Sequence, residues 1–515
     1  MGISIFVLRL MKNKIILPIL MMSMAVGCSP KEEKAQKTYK WPQVPPPVAE
    51  QKPYVRTLHG DTVTDPYYWM IDYFKNGPDS GQVIAYLEAE NAYLDTMMAG
   101  TRELQEQLFR EMKGRIKEQD ESVPVLNNGY YYYTRTEEGK QYYKYCRKKA
   151  TAAATEEVLL DVDAMAEGKA YYSVRGFDVS DDNRLLAFAV DEVSRRQYTI
   201  HIKNLETGEI YPDAIRNTSG DPVWAADNKT IFYTANNPIT LLSEKIRRHV
   251  LGTDPAADVT VYEEKDKSNY IGVGRSKNRK YIMIDSRATL SSETWLLEAD
   301  RPEGHFRSFQ PRMKSVLYDV IPLEDRFLVR TNKDAVNFRL MECPLDQSGV
   351  ANWQELIPHR ADVLLEDISE FRDFIAIVER KDGLPQMRIR SLRDGSEHYI
   401  DFGEEAYDAG FGPNPEYEQP VLRYSYSSLV TPPSVFDYNP ATKEKKLMKQ
   451  QEVLGGYDPA QYHSERIYAT ATDGTRIPIS LVYKKGFERG GKAPLLLYGY
   501  GSYGASIDPT FSSAR

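Results

Sequence analysis

The sequence predicts a mixed fold, in which a seven-bladed β-propeller is joined to a second domain made from both ends of the chain. Three observations predict it: apolar strands recur at regular spacing over residues 121–455, residues 83–117 carry apolar side chains at helical spacing, and a hairpin pattern follows residue 455. Tyrosine, which suits half-buried strands, outnumbers phenylalanine by 36 to 17. We therefore expect β-structure to dominate.

The composition of the chain argues against several classes of function. The length of 515 residues suggests two large domains, or one domain plus a repeat array. Of these residues 41% are hydrophobic and 27% charged, as in ordinary soluble proteins. A net charge of -8 gives no support to nucleic acid as a partner. Cys28, Cys146 and Cys343 lack the close spacing of a metal or redox motif, and no H-E-x-x-H motif occurs. We expect neither a metal nor a cofactor.

Residues 1–28 are predicted to be a lipoprotein-type signal peptide. Lys12 and Lys14 precede an apolar run at residues 15–26, which is too short to span a bilayer comfortably. The AVGC segment ending at Cys28 resembles a bacterial lipobox, in which the cysteine is lipidated and becomes the first mature residue. A plain cleaved signal with a chance cysteine is the alternative, and both imply export. We expect an exported cell-envelope lipoprotein that contacts the membrane through its lipid anchor only.

The next two segments connect this signal to the body of the protein. Residues 29–52 are rich in Lys, Glu, Gln and Pro, and we expect a flexible linker. We expect residues 53–120 to form the N-terminal helical part of the second domain, with two or three helices within residues 83–117. His59 and Asp61 could form a catalytic pair, but a surface loop accounts for them better.

Residues 121–455 are predicted to form the propeller. Their most apolar strands start roughly 45 to 55 residues apart, the period of four-stranded blades, and most follow a polar turn. Radial closure would leave so many strands without an exposed edge. A propeller can also be an inert binding scaffold, so this pattern leaves the function open. The seven strands are YYYYT at Tyr130, LLAFAV at Leu185, TIFYT at Thr230, YIMID at Tyr281, RFLVRT at Arg326, DFIAIV at Asp373 and VLRYSY at Val421.

Residues 456–515 begin a new domain. A hairpin with Asp473 and Gly474 at its turn is predicted first, followed by a buried strand at residues 493–498 and a glycine turn. These strands alone cannot complete a sheet with two covered faces. We expect the helices of residues 83–117 to pack against them.

The glycine turn at residues 499–504, GYGSYG, is the candidate site. It matches G-x-G-x-x-G, but neither a following helix nor the later acidic residue of a dinucleotide site is present. Ser502 is not in a nucleophile elbow, because Tyr500 stands where G-x-S-x-G requires glycine. The hydroxyl of Tyr500, held between two glycines, could donate to a developing oxyanion, and a buried packing ring is the alternative.

Several segments of the sequence resemble a known protein family. Residues 494–515, the LHGDTVTDPYYWM segment at 58–70 and the propeller pattern between them are similar to the prolyl oligopeptidase family of serine peptidases. Within that family, GSYG at residues 501–504 and EEVLLDVDAMAEG at 156–168 most resemble oligopeptidase B. The resemblance covers residues 53–515.

The resemblance implies an α/β-hydrolase domain assembled from both chain ends and a propeller that restricts access to short peptides. It also implies acyl-enzyme hydrolysis after arginine or lysine, with short basic peptides as substrates. Tyr500 matches the oxyanion tyrosine of the family. Asp508 matches an acidic position near the substrate's basic side chains, although a second acid two positions later is Thr510 here.

The catalytic serine, aspartate and histidine of the family follow the glycine turn, and no G-x-S-x-G motif occurs in these 515 residues. We assign no catalytic role to Ser502, Asp473 or His463. We therefore expect a C-terminally truncated α/β-hydrolase domain and an inactive chain, with activity in the full-length product. The alternative is a non-enzymatic propeller that binds peptides at the cell envelope.

Overall fold

The computed structural model describes residues 40–151 and 153–513. Two compact units divide the chain, Met1–Arg110 and Glu111–Arg515. The segment boundaries expected at residues 28, 52, 120 and 455 stay predictions.

The described part of the first unit contains a β-hairpin followed by helices. Its turn places His59 and Gly60 at positive φ, and His59 is exposed there. The two long helices expected from apolar spacing are confirmed, but Leu87 and Leu94 remain exposed on the second helix. The elements are β1 (Tyr54–Leu58), β2 (Asp61–Asp65), α1 (Asp72–Lys75) and α2 (Ser80–Met98), and α3 (Arg102–Lys113) follows them.

The second unit is a succession of antiparallel sheets. The first sheet contains β3 (Asp120–Glu121), β4 (Val125–Asn127), β5 (Tyr130–Thr136), β6 (Lys144–Lys149) and β7 (Glu157–Asp161), and a short helix α4 (Val162–Met165) follows it. The second sheet contains β8 (Ser173–Val179), β9 (Leu185–Asp191), β10 (Tyr198–Asn204), β11 (Ile215–Thr218), β12 (Val223–Trp224), β13 (Thr230–Asn236), β14 (Ser243–Val250) and β15 (Val259–Glu263).

Four sheets of four strands follow. The first two contain β16 (Tyr270–Arg275), β17 (Tyr281–Arg287), β18 (Ser292–Glu298) and β19 (Arg307–Ser308), then β20 (Tyr318–Pro322), β21 (Arg326–Thr331), β22 (Arg339–Pro344) and β23 (Gln354–Ile357). The last two contain β24 (Val363–Glu370), β25 (Phe374–Lys381), β26 (Leu384–Ser391) and β27 (Glu397–Tyr399), then β28 (Tyr407–Phe411), β29 (Leu422–Ser428), β30 (Ser434–Asn439) and β31 (Glu444–Gln450).

The prediction of a seven-bladed propeller is wrong. Five blades of four or five strands stand as separate sheets, whereas β8 to β15 form one continuous eight-stranded sheet. The reason is β11, which pairs with β10 on one side and with β13 on the other, through Thr218 and Ala235. A repeat in sequence predicts where strands recur, but backbone hydrogen bonding decides where one sheet ends.

The strands that define the repeat are all present and provide the core. They are β5, β9, β13, β17, β21, β25 and β29, and every residue of β9 is buried. Their two faces pack against neighbouring sheets, as where Phe374 and Met387 meet Leu422 and Tyr424 in one apolar cluster. Burial on both faces explains why these runs are continuously apolar rather than alternating.

The sheet of β3 to β7 meets the sheet of β28 to β31, and this contact closes a ring of sheets. The Arg423 guanidinium donates to the Pro124 carbonyl at 2.6 Å, although the two residues are separated by 299 positions. Close by, Lys449 Nζ lies 2.6 Å from the Asp120 carboxylate. This closure leaves the inner strands of the sheets facing a common centre.

The predicted α/β-hydrolase domain is not present among the described residues. After residue 456 the chain forms one hairpin, β32 (Tyr462–Thr470) and β33 (Arg476–Lys484), with the expected turn at Asp473 and Gly474. Residues 485–513 contain neither a strand nor an α-helix, so no sheet with crossover helices can form from them. No helix in the described part of the chain is both long and apolar enough to cross a membrane.

Candidate functional site

The apolar run before the glycine turn does not form the expected buried strand. Leu495, Leu496 and Leu497 are 82%, 72% and 83% exposed, and the run pairs with no strand among the described residues. β32 and β33 pair only with each other. An extended segment becomes a strand when a neighbour satisfies its backbone groups, and apolar composition alone does not supply that neighbour.

The glycine turn takes the backbone conformation that its glycines permit. Gly501 has a φ of 101° and Gly504 a φ of 70°, and Tyr503 between them also has a positive φ of 57°. The Tyr500 side chain is 64% exposed and the Tyr503 side chain 99% exposed. Tyr500 is therefore a solvent-facing side chain in the described structure, and its role as an oxyanion donor stays a prediction.

The second predicted site residue, Asp508, lies against the propeller. Its carboxylate accepts two hydrogen bonds from the Arg380 guanidinium, at 2.7 and 3.1 Å. Arg380 is the penultimate residue of β25, and its Nε also contacts the Glu366 carboxylate at 2.5 Å. Burial would lower the pKa of Arg380, but the hydrogen bonds that its guanidinium donates to Asp508 and Glu366 outweigh it and raise that pKa. No hydrogen bond or ion pair joins Asp508 to Tyr500 in the described part of the chain.

Other residues considered from sequence have local roles. Asp473 accepts a hydrogen bond from the Thr475 backbone at 2.9 Å, which lowers the pKa of its carboxyl in the hairpin turn. His463 is exposed and lies edge-on to the Tyr483 ring. Cys28, the predicted lipidation site, lies outside the described residues.

A polar cavity that sequence reasoning missed lies at the ends of the inner strands. Its volume is about 730 Å³, and residues from five of the propeller sheets and from the loop after β28 line it. Arg275 binds the Asp181 carboxylate through two hydrogen bonds at 2.9 and 2.8 Å, and Arg279 adds a third at 3.1 Å. Burial opposes but does not cancel this effect, so the two guanidiniums hold the pKa of Asp181 below its usual range.

Lys277 and Asp178 in this cavity also have shifted pKa values. Burial lowers the pKa of Lys277 to about 8, although its ammonium donates to the Glu370 carbonyl and sits 3.4 Å from the centre of the Phe371 ring. Burial also raises the pKa of Asp178 to about 6. The sequence signal was the basic turn RSKNRK at residues 275–280, which as a plain polar turn carried no indication of a shared cavity.

Comparison with known proteins identifies the family. Residues 46–451 match the family model described as "Prolyl oligopeptidase, N-terminal beta-propeller domain". The chain belongs to the prolyl oligopeptidase family. Among curated relatives of this family, dipeptidyl aminopeptidase BI of Pseudoxanthomonas mexicana is 44% identical, with 91% of this chain and 66% of the relative covered. Protease 2 of Moraxella lacunata is 34% identical, with 91% of this chain and 68% of the relative covered.

Solved structures of family members agree with this assignment. Oligopeptidase B from Leishmania major superposes with a TM-score of 0.83 at 32% identity, covering 91% of this chain and 69% of that one. Oligopeptidase B from Trypanosoma brucei, solved with covalently bound antipain, gives a TM-score of 0.83 at 29% identity and the same coverage. The chain thus spans about two thirds of the length of its relatives.

Proposed function

We propose that this chain is part of a serine-type oligopeptidase that hydrolyses short peptides through an acyl-enzyme, with Tyr500 as an oxyanion donor. The observation that best supports the proposal is the glycine-flanked Tyr500 in a chain of a family whose relatives are named as peptidases. A phenolic hydroxyl aimed at a carbonyl oxygen stabilises the charge that develops when that carbonyl is attacked. The serine, aspartate and histidine are not assigned to any of these 515 residues.

Cleavage after arginine or lysine is the specificity that we propose. The resemblance to oligopeptidase B supports it, as does the acidic character of the region around Asp508, where Glu366 and Asp408 are close by. The relative named dipeptidyl aminopeptidase BI suggests removal of dipeptides as the competing mode. A blocked arginyl reporter and a dipeptidyl reporter with a free amino terminus distinguish the two modes when they are assayed in parallel.

The test of the catalytic role compares two tyrosines of the same turn in the complete product of the gene. Tyr500→Phe should lower kcat by about 10²- to 10³-fold with a smaller effect on KM, because the donor acts on the transition state. Tyr503→Phe is the matched control, since its side chain is 99% exposed and carries no proposed role. Equal kcat values for the two variants would exclude Tyr500 as the donor, and no turnover of any peptide would exclude the peptidase.

We also propose that the mature protein is a cell-envelope lipoprotein anchored through Cys28. The lipobox-like AVGC segment after an apolar run supports this proposal. Detergent-phase partitioning of the expressed protein should be lost in Cys28→Ser and retained in Cys343→Ser, since Cys343 is a buried free thiol of the propeller. Retention in Cys28→Ser would contradict the anchor.

A non-enzymatic peptide-binding propeller is the second candidate. The polar cavity of about 730 Å³ favours it, because Lys277 and Asp178 give that cavity both signs of charge. Peptide binding by the 515-residue chain, together with no hydrolysis by the complete gene product, would support this candidate over the peptidase.

A further inference from the structure

Asp508 does not present a free carboxylate to solvent. Both of its oxygens accept hydrogen bonds from Arg380, and the side chains of the two residues are only 20% and 18% exposed. A guanidinium binds a carboxylate most strongly when two of its N–H groups donate to the two carboxylate oxygens, as they do here. The position that the family resemblance assigns to a substrate's basic side chain therefore already holds a guanidinium from the protein's own propeller.

Among the described residues, Arg380 is the only cation in an ion pair with Asp508 or Glu366. Besides Asp508 it contacts Glu366, whose side chain is 25% exposed. Asp408 on β28 is partly buried nearby, and burial, together with the charge of Asp508, raises the pKa of its carboxyl. Three carboxylates around one guanidinium leave a surplus of negative charge, which favours a second cation.

The chain around Asp508 is held in place independently of Arg380. The Phe511 backbone N–H donates to Ser427 Oγ at 3.0 Å, and the Phe511 ring packs edge-on against Tyr457 with 5.0 Å between the ring centres. Tyr457 in turn donates to the Val430 carbonyl at 2.7 Å. These contacts keep the Asp508 carboxylate near the propeller when the arginine is replaced.

We propose that Arg380 is a specificity-determining residue that occupies the Asp508 carboxylate in the unliganded protein and competes with the basic side chain of a peptide. This inference rests on the proposed function, which brings basic peptides to Asp508. The arginine side chain of a peptide ends in the same planar guanidinium as Arg380. Once this peptide arginine has displaced Arg380, it makes the same paired hydrogen bonds to the Asp508 carboxylate. Asp408 and Glu366 then neutralise the released Arg380. Arg380 thereby weakens the binding of every basic peptide, because each peptide has to displace it from the Asp508 carboxylate.

The test measures binding rather than turnover, so its outcome does not depend on catalysis. Titration calorimetry of the full chain uses N-acetyl-arginine amide as the probe. Arg380→Met should bind the probe about tenfold more tightly than the wild type, the effect of gaining one charge-assisted interaction. Asp508→Asn in the Arg380→Met background should remove the gain. Arg380→Lys, which keeps the charge but loses the paired geometry, should bind with intermediate affinity.

Arg423 provides the matched control. It binds Asp437 through two hydrogen bonds at 2.7 and 2.9 Å, and the two side chains are 13% and 18% exposed. Arg423→Met therefore removes a similarly buried pair elsewhere on the propeller, together with the hydrogen bond to the Pro124 carbonyl. This variant should leave probe affinity unchanged. Circular dichroism shows whether each variant is folded. If Arg380→Met does not fold, the comparison is made with Arg380→Lys instead.

Two results would overturn the inference. One is equal affinity of the wild type, Arg380→Met and Arg380→Lys for the probe. The other is a gain that persists after Asp508→Asn. Failure of the peptidase proposal is seen separately, as absence of hydrolysis by the complete gene product.

Discussion

Two apolar runs of similar composition have opposite environments in this protein. β9, LLAFAVD, is completely buried and has hydrogen-bonded strands on both sides, whereas the LLLY run at residues 495–498 is exposed and pairs with no described strand. Because both runs have the side chains of a core strand, hydrophobicity does not separate them. An apolar run becomes a core strand only when neighbouring strands accept and donate its backbone hydrogen bonds and neighbouring side chains cover both of its faces.

The buried region also contains a charged network, and breaking it should give the largest effect. His249 is fully buried between two carboxylates, with Nδ1 2.7 Å from Asp258 and Nε2 3.0 Å from Asp213. His249→Leu removes the shared partner and should lower the free energy of unfolding by about 3–5 kcal/mol, because two carboxylates remain buried without a cation. Urea unfolding measures this loss. The pair between the exposed Arg489 and the partly buried Glu465 in the terminal segment is the control, and Arg489→Leu should cause little change.

A matched pair of leucine truncations tests the comparison directly. Leu186 in β9 has no exposed surface, and Leu496 is 72% exposed. Leu186→Ala should lower the free energy of unfolding by about 2–5 kcal/mol through lost burial and a new cavity. Leu496→Ala should change it by less than about 0.5 kcal/mol. Denaturant midpoints measured on both variants check the difference, and similar losses would show that the LLLY run is buried in solution.

The pH dependence of stability should give the smallest of these effects. Burial would lower the pKa of His249, but its hydrogen bonds with Asp258 and Asp213 prevail and raise it above the ordinary histidine value. The protonated His249 therefore makes its full contribution to the free energy of unfolding below about pH 6.5, the ordinary pKa of histidine in the unfolded chain. This contribution declines as the pH rises through the higher pKa of the folded state.

This dependence is measured as the difference in unfolding free energy between the wild type and His249→Leu across neutral and alkaline pH. The difference should shrink as the pH rises. The other groups that face this network are Arg247, which donates to the Asp258 carbonyl, and Tyr233, whose pKa is raised by burial and by Asp258. A difference that grows with pH would contradict the assignment.

The sequence predicted the local elements of the fold well. The hairpin turn at Asp473 and Gly474, the helices within residues 83–117 and the seven repeat strands are all confirmed. Each depends on contacts between residues close in the chain or on a periodicity visible in a short window. The seven-bladed count failed because one pairing, Thr218 with Ala235, joins two runs of strands into a single sheet.

The candidate site was less accessible to prediction. Tyr500 was identified from the glycine turn that holds it and Asp508 by resemblance, whereas no pattern pointed to Arg380, which lies 128 positions before Asp508. The cavity residues Asp181 and Arg275 are likewise 94 positions apart. Charged side chains in turns and at strand ends look alike in sequence, because their role depends on which other turn faces them.

The sequence by itself determined the β-rich class, the repeat of apolar strands, the terminal glycine turn and membership of a peptidase family. These depend on residue type and spacing, which follow from the chain alone. Only the tertiary structure decided which strands share a sheet, that residues 495–498 are exposed, and that Asp508 is paired with Arg380. The physical reason is that hydrogen bonds and ion pairs between distant residues form only after the ring of sheets has closed and brought them within reach.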